Sequence, residues 1–202
     1  MKIEAMISAV QEALNIGVDG RAGPETWGAV YAHIVEPTVD GVAPALALEK
    51  VDPRSETCIA SLLPEVQPLA RALVQKAAQN GIQIKVISGL RSFAEQDALY
   101  AKGRTTAGPK VTNARAGHSN HNFGMAFDVG VFERSAYVPD SPKYKAVGAL
   151  GMDLGLEWGG SWTTIVDQPH FQLRPAWAVD MSERDMLAEL RARVKMGEPI
   201  DV

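Results

Sequence analysis

The chain has 202 residues, 46% of them hydrophobic and 22% charged, the profile of a soluble globular protein of one ordinary domain with a small appendage. Twelve prolines and 18 glycines are too few for a fibrous or disordered chain, and a formal charge of −4 argues against whole-chain attraction to nucleic acid or to an anionic membrane. The single cysteine, Cys58, excludes an intrachain disulfide and a Cys-rich zinc cage.

Ile3, Met6, Ile7, Val10 and Leu14 recur at helical spacing, which predicts an amphipathic helix over 2–14. Glu4 and Glu12 interrupt this only early apolar stretch, so no Sec-type signal is read there and synthesis in the cytoplasm is expected. No apolar run reaches the roughly 18–20 residues of a membrane-spanning helix, so no membrane insertion is expected. Asp19-Gly20 is a turn signal, and Gly23-Pro24 opens a second helix with Trp27, Val30, Tyr31 and Ile34 on one face. Two helices over residues 1–35 are too small to hold a core and are expected to dock on something. Residues 36–57, with Pro37, Gly41, Pro44 and Pro53, read as a linker or a meander, and 58–202 as the main domain.

Within that domain a helix is predicted over 63–80, then a strand in which Ile82, Ile84 and Val86 alternate with their neighbours up to Ser88-Gly89. A short helix runs from Phe93 to Lys102, another from Tyr144 to Leu154. A last one runs from Ser182 to Lys195, with Ser182 and Asp185 at capping-box spacing and Met186, Leu187, Leu190 and Val194 on one side. Helices and short strands without a regular βαβ rhythm favour an α+β fold.

The chemistry concentrates in His118-Ser-Asn-His-Asn-Phe-Gly-Met-Ala-Phe-Asp-Val-Gly-Val131. From Gly124 the chain alternates as a strand: Met125, Phe127, Val129 and Val131 suit a core, and the opposite face is small except for the carboxylate of Asp128. His121, beyond a turn, can bend back over that open space, so His121 and Asp128 are candidate zinc ligands. Alone, this spacing is more often a turn-capping histidine and a salt-bridged acid. A strand over Pro169–Leu173 would put His170 and Gln172 on one face, with Asp167 hanging over the same site. Two histidines, one aspartate and an open position describe a catalytic zinc, and a free carboxylate beside it describes a general base. Ser88-Gly-Leu-Arg-Ser92 delivers Arg91 to the edge of a site, for a carboxylate or a developing oxyanion, or else for a surface salt bridge. Six basic residues against two acidic ones between Lys85 and Arg115 suit an anionic substrate.

Taken together, these segments resemble the zinc peptidases of the D-alanyl-D-alanine carboxypeptidase and L-alanyl-D-glutamate endopeptidase family, which includes VanY-like enzymes and many phage endolysins. The resemblance spans about residues 50–175. Ser88-Gly-Leu-Arg-Ser with Glu95-Gln96 and Leu99-Tyr100-Ala-Lys-Gly-Arg-Thr105 is similar to the family's arginine segment. Ser119-Asn-His-Asn-Phe-Gly-Met-Ala-Phe-Asp128 matches its Ser-x-His-x-x-Gly-x-Ala-x-Asp pattern, and Glu157-Trp-Gly-Gly and Asp167-Gln-Pro-His-Phe171 its C-terminal end. The resemblance implies a hedgehog/D,D-peptidase fold, a small antiparallel sheet flanked by helices. It makes His121, Asp128 and His170 the Zn2+ ligands, Asp167 the general base and Arg91 the group that polarises the scissile carbonyl, with Gln96 and Ser119 helping at the substrate.

Asp167-Gln-Pro-His-Phe departs from the Glu-x-x-His-Trp form of the carboxypeptidase branch and is typical of the endopeptidases. The resemblance therefore implies hydrolysis of the peptidoglycan stem peptide at the L-Ala–D-Glu bond by a cell-wall lysin; the missing Sec-type signal suggests that it reaches the wall after holin-type release, and a monomer is expected. The rival readings are a D-alanyl-D-alanine carboxypeptidase on the same site and an inactive wall-binding protein. Residues 1–35 also resemble a peptidoglycan-binding helical module through Val10-Gln-x-x-Leu14, Asp19-Gly20, Gly23-Pro24-x-Thr26 and Ala29-Val30. No role is assigned to Ser161; His118 is read as supporting or structural, and His33 as a helix-face residue.

Overall fold

The computed structural model describes residues 3–14, 16–34 and 49–200, with the side chains of 31–34 excepted. The chain divides into two compact units, Met1–Ala47 and Leu48–Val202. No described helix is long and apolar enough to cross a membrane.

In the first unit, α1 (Ile3–Ala13) and α2 (Pro24–Ile34) follow the predicted helices closely, with Pro24 at the first helical position. What ties them together is polar. Gln11, 2% exposed, donates to Asp19 Oδ1, Thr26 Oγ1 and the Arg21 carbonyl, and its own carbonyl accepts the Asp19 and Gly20 amides. One glutamine thereby satisfies three backbone groups of the connecting loop, the Asp19 and Gly20 amides and the Arg21 carbonyl. Several apolar side chains of these helices are exposed, Ile3 at 73%, Met6 at 53% and Trp27 at 61%. His33 and most of the linker, 36–48, lie outside the described side chains.

The second unit starts before the predicted boundary at 58. Residues 53–57, read as linker, belong to helix α3 (Pro53–Ile59). Pro53 opens this helix rather than breaking the chain, because Asp52 caps it by accepting the Ser55 amide and a proline at the first position has no amide to waste. Helix α4 (Val66–Gln79) follows, then strand β1 (Ile84–Ser88) and α5 (Phe93–Ala101), which opens on a full Ser92–Glu95 capping box. A 3₁₀ turn at Asn120–Phe123 leads into β2 (Ala126–Glu133) and the short β3 (Ala136–Tyr137). Next come α6 (Tyr144–Met152), β4 (Glu157–Trp158), β5 (His170–Gln172) and α7 (Glu183–Met196), which Ser182 caps by accepting the Asp185 amide.

The strands form an antiparallel sheet in the order β1-β2-β5-β4, with β3 on the far end of β2. Strand alternation decides which face is which. Phe127, Val129 and Val131 are fully buried against Ile84, Val86 and Phe171 and against α3, α4 and α6 through Ile59, Leu73 and Val147. Met125 belongs to a second cluster, with Phe123, Ala178, Met186, Leu187 and Leu190, that holds α7 against the 3₁₀ turn. Val194, expected on that buried side, is 43% exposed, one turn beyond where α7 leaves the cluster. The face opposite the helices is left for Asp128. Seven α-helices among the described residues, five of them in the unit that holds the small antiparallel sheet, make this the α+β fold expected from the sequence.

Candidate metal centre and active site

The sheet register assembles the site. Asp128 pairs with Ser88 of β1 on one side and with His170 of β5 on the other, so three residues far apart in sequence share one row. A bulge between Val86 and Ser88 shifts the register there and turns the end of β1 toward the Arg91 segment. The 3₁₀ turn then supplies His121. Gly124 closes that turn at φ 71°, a left-handed conformation that lets the chain reverse into β2.

The turn and the arginine segment are stitched together reciprocally. The Arg91 amide donates to the His121 carbonyl, the Asn122 side-chain amide to the Arg91 carbonyl, and His121 Nδ1 to the Gly89 carbonyl at 2.9 Å. A carbonyl only accepts, so His121 carries a proton on Nδ1 and turns Nε2 to Asp128 Oδ1, 3.3 Å away. His170 reaches the same oxygen with Nδ1 at 3.4 Å, while its Nε2 bonds Gln172 Oε1 at 2.9 Å. The donor atoms of His121, Asp128 and His170 all lie within 4.8 Å of one another, a group among the described residues that can hold a metal ion. Burial raises the Asp128 carboxyl, but the two histidines outweigh it and hold the group well below the usual carboxylate range. Burial likewise opposes charge on His170, and its bond to Asp128 more than offsets that and raises it.

Asp167 lines the same groove, of about 890 Å³, together with Arg91, Ser119, His121, Asp128 and His170. Gly159 makes that placement possible: a Cβ there would lie 2.5 Å from the Asp167 carbonyl and 3.0 Å from His170 Cβ, whereas the bare glycine accepts the Asp167 amide at 3.0 Å. Burial first, and the charge of Asp128 second, push the Asp167 carboxyl above its ordinary value, and His170, His121 and Arg91 oppose them. A carboxyl raised in this way beside a carboxylate–imidazole cluster is suited to exchanging protons.

Arg91 is held by Gln96 Oε1 at 2.9 Å and Ser88 Oγ at 3.3 Å, and lies 3.8 Å from Asp128 Oδ2. Gln96, expected to touch substrate, is fully buried and spends its amide group on the Ala114 carbonyl; it orients Arg91 from behind. Ser119 is half-buried on the groove wall and caps nothing with its side chain. His118 lines the groove outside the ligand group, beside Arg191, and burial followed by the charges of Arg191 and Arg115 lowers it. Ser161 donates to the Trp158 carbonyl, and Cys58 is a half-buried thiol that burial raises.

Sequence reasoning missed Trp162, whose ring lies 5.0 Å from that of His170, and the carboxylates and amides around Gln172. The period-two pattern did signal that Gln172 shares a face with His170. Nothing local signals partners that arrive from β4 and α7.

Residues 60–158 match the model of the VanY family, described as D-alanyl-D-alanine carboxypeptidase. The peptidoglycan L-alanyl-D-glutamate endopeptidase CwlK of Bacillus subtilis is 38% identical over 124 residues, covering 56% of this chain and 74% of that protein. An L-alanyl-D-glutamate peptidase of Listeria phage A118 is 29% identical over 124 residues, 59% of this chain, which spans 40% of that longer protein. Among solved structures, the Serratia marcescens L-Ala D-Glu endopeptidase ChiX aligns with a TM-score of 0.48 and 24% identity, over 64% of this chain and 94% of that one. The extent of the match to CwlK, together with the family match at the segment that builds β1, α5 and β2, shows that this chain belongs to the VanY family of peptidases.

Proposed function

We propose that the protein is a zinc peptidase that hydrolyses the L-Ala–D-Glu bond of the bacterial peptidoglycan stem peptide. The observation that carries this reading is the group His121, Asp128 and His170, with Asp167 and Arg91 on the same groove wall. Two imidazole nitrogens and a carboxylate oxygen are the donor set of a catalytic zinc, with a further position open. The fit is also electrostatic. In their neutral forms both rings direct lone pairs at the Asp128 carboxylate, an arrangement that a divalent cation between them stabilises. The bond is taken from the relatives named for it, CwlK and the phage peptidase, and from the Asp167-Gln-Pro-His-Phe ending.

Zinc bound by His121, Asp128 and His170 supplies Lewis-acid polarisation. The chain's own groups do the rest. Asp167 takes a proton from the attacking water and returns it to the leaving amine, which its raised carboxyl permits in both directions. Arg91, its guanidinium fixed by Gln96 and Ser88, donates to the carbonyl oxygen as negative charge builds there. Ser119 stands on the groove wall where a peptide would lie. Residues 1–35 form a separate module that touches the wall, a role that the exposed Trp27, Ile3 and Met6 support.

Metal removal tests the reading. Dialysis against a chelator is expected to abolish release of peptides from purified peptidoglycan, and stoichiometric zinc to restore it. Unchanged hydrolysis by metal-free protein would overturn the assignment.

A further inference from the structure

Beside His170, along the wall of the same groove, lies a closed circuit of five side chains. Gln172, 1% exposed, accepts on Oε1 from His170 Nε2 at 2.9 Å and from Asn120 Nδ2 at 2.7 Å, and donates from Nε2 to Glu157 Oε2 at 2.6 Å. Arg174 bonds Glu157 through Nε and Glu183 through Nη2, the latter at 2.9 Å, and Asn120 Nδ2 closes the circuit on Glu183. Three parts of the fold meet here. Glu157 is the cross-strand partner of Gln172 between β4 and β5, Glu183 opens α7, and Asn120 precedes His121 in the 3₁₀ turn.

The two carboxylates remove every ambiguity from the amides. Glu157 and Glu183 only accept, so Gln172 must turn Nε2 to Glu157 and Asn120 must turn Nδ2 to Glu183. Gln172 Oε1 is then left facing His170. An amide oxygen only accepts too, so His170 keeps a proton on Nε2 and presents Nδ1 to the row that holds Asp128. The arrangement has a cost. Asn120 Oδ1 is buried and is the side-chain oxygen left without a hydrogen-bond partner among the described residues. Stability alone gives no reason to keep an orphaned acceptor beside a ligand.

We propose that Gln172 is a positioning residue for the metal site, fixing the ring orientation and tautomer of His170, and that Glu157, Arg174, Glu183 and Asn120 form the circuit that holds it. Helix α7, which supplies none of the three proposed ligands, is thereby part of the metal site. The inference rests on His121, Asp128 and His170 holding zinc, and its test reads zinc affinity directly rather than hydrolysis.

The measurement is competition for Zn2+ between the full-length protein and a chromophoric chelator at fixed pH, with thermal unfolding of the metal-free protein followed in parallel. Gln172→Ala is expected to weaken zinc about 10–100-fold. The exchange Gln172→Glu with Glu157→Gln keeps an acceptor on His170 and reverses the amide–carboxylate pair, and is expected to recover most of that loss. A purely structural role would lower the unfolding temperature without separating these affinities. Wild-type affinity in Gln172→Ala, or an exchange variant no tighter than Gln172→Ala, would overturn the proposal. If Gln172→Ala does not fold, Glu183→Gln, at a position with a 44% exposed side chain, decides instead. A few-fold loss supports the circuit, and unchanged affinity refutes it. Wild-type protein that binds no zinc would sink the metal reading as well; zinc bound equally by wild type and variants sinks this inference alone.

Discussion

Removing Asp167 and removing His121 should separate two functions that share one groove. Asp167→Ala leaves the three proposed ligand side chains in place, so zinc content is expected to stay at the wild-type level while turnover falls by about 10²–10⁴-fold, the worth of a general acid–base group. His121→Ala removes a proposed ligand and is expected to lose both zinc and turnover. Metal analysis beside a rate assay checks the pair, and near-normal turnover in Asp167→Ala would contradict the mechanism. At this scale the sequence was most informative where chemistry sits on a regular element. The alternation from Gly124 put Asp128 on the face away from the core, and a short strand put His170 beside Gln172, as the sheet has them. The burial of Gln96 was not legible, because exposure on a short helix depends on what packs over it, here the 112–114 segment. The partners of Gln172 were invisible for a related reason: Glu157 and Glu183 reach it only through strand register and helix docking, which no local pattern encodes.

Among the elements, the joint between α3 and α4 is the clearest test of how the second unit is held. Arg71 of α4 grips Glu56 of α3 with both ends of its guanidinium, Nε at 3.0 Å from Oε1 and Nη2 at 2.8 Å from Oε2. The Glu56 side chain is 17% exposed and that of Arg71 20%, so solvent screens the pair only in part. Arg71→Ala is expected to cost about 1–2 kcal/mol in denaturant unfolding at pH 7. The bond to Arg71 holds the Glu56 carboxyl below its ordinary value. A depressed carboxyl contributes stability that is complete above its unfolded pKa and is lost as pH falls through the folded one. The gap between wild type and Arg71→Ala should therefore shrink below about pH 4, and a gap of equal size at pH 7 and pH 3 would contradict this origin. Helix α3 itself was hidden in the sequence because Pro53 looks like a breaker until Asp52 is seen to cap it.

The molecule as a whole carries a formal charge of −4 and consists of two compact units of different character. The larger has two apolar clusters and the candidate metal group; the smaller is organised around one buried glutamine and leaves apolar side chains exposed. A chain beginning at Leu48 is expected to bind zinc and to cleave a soluble stem peptide at the wild-type rate, yet to bind and solubilise intact sacculi several-fold less. Equal binding and clearance by the shortened chain would remove the wall role proposed for residues 1–35. The helices of that unit were legible from spacing and the Gly23-Pro24 start, whereas its polar centre was not, since the loop partners of Gln11 come from the chain reversal at 19–26 and no helical spacing encodes them.

The most direct measurement is to digest purified sacculi with the zinc-loaded protein and identify the new termini by mass spectrometry. New D-Glu amino termini, released with wild-type protein and absent with Asp167→Ala, are the expected result. Release of free D-Ala without D-Glu termini would contradict the assigned bond and place the activity with the carboxypeptidases.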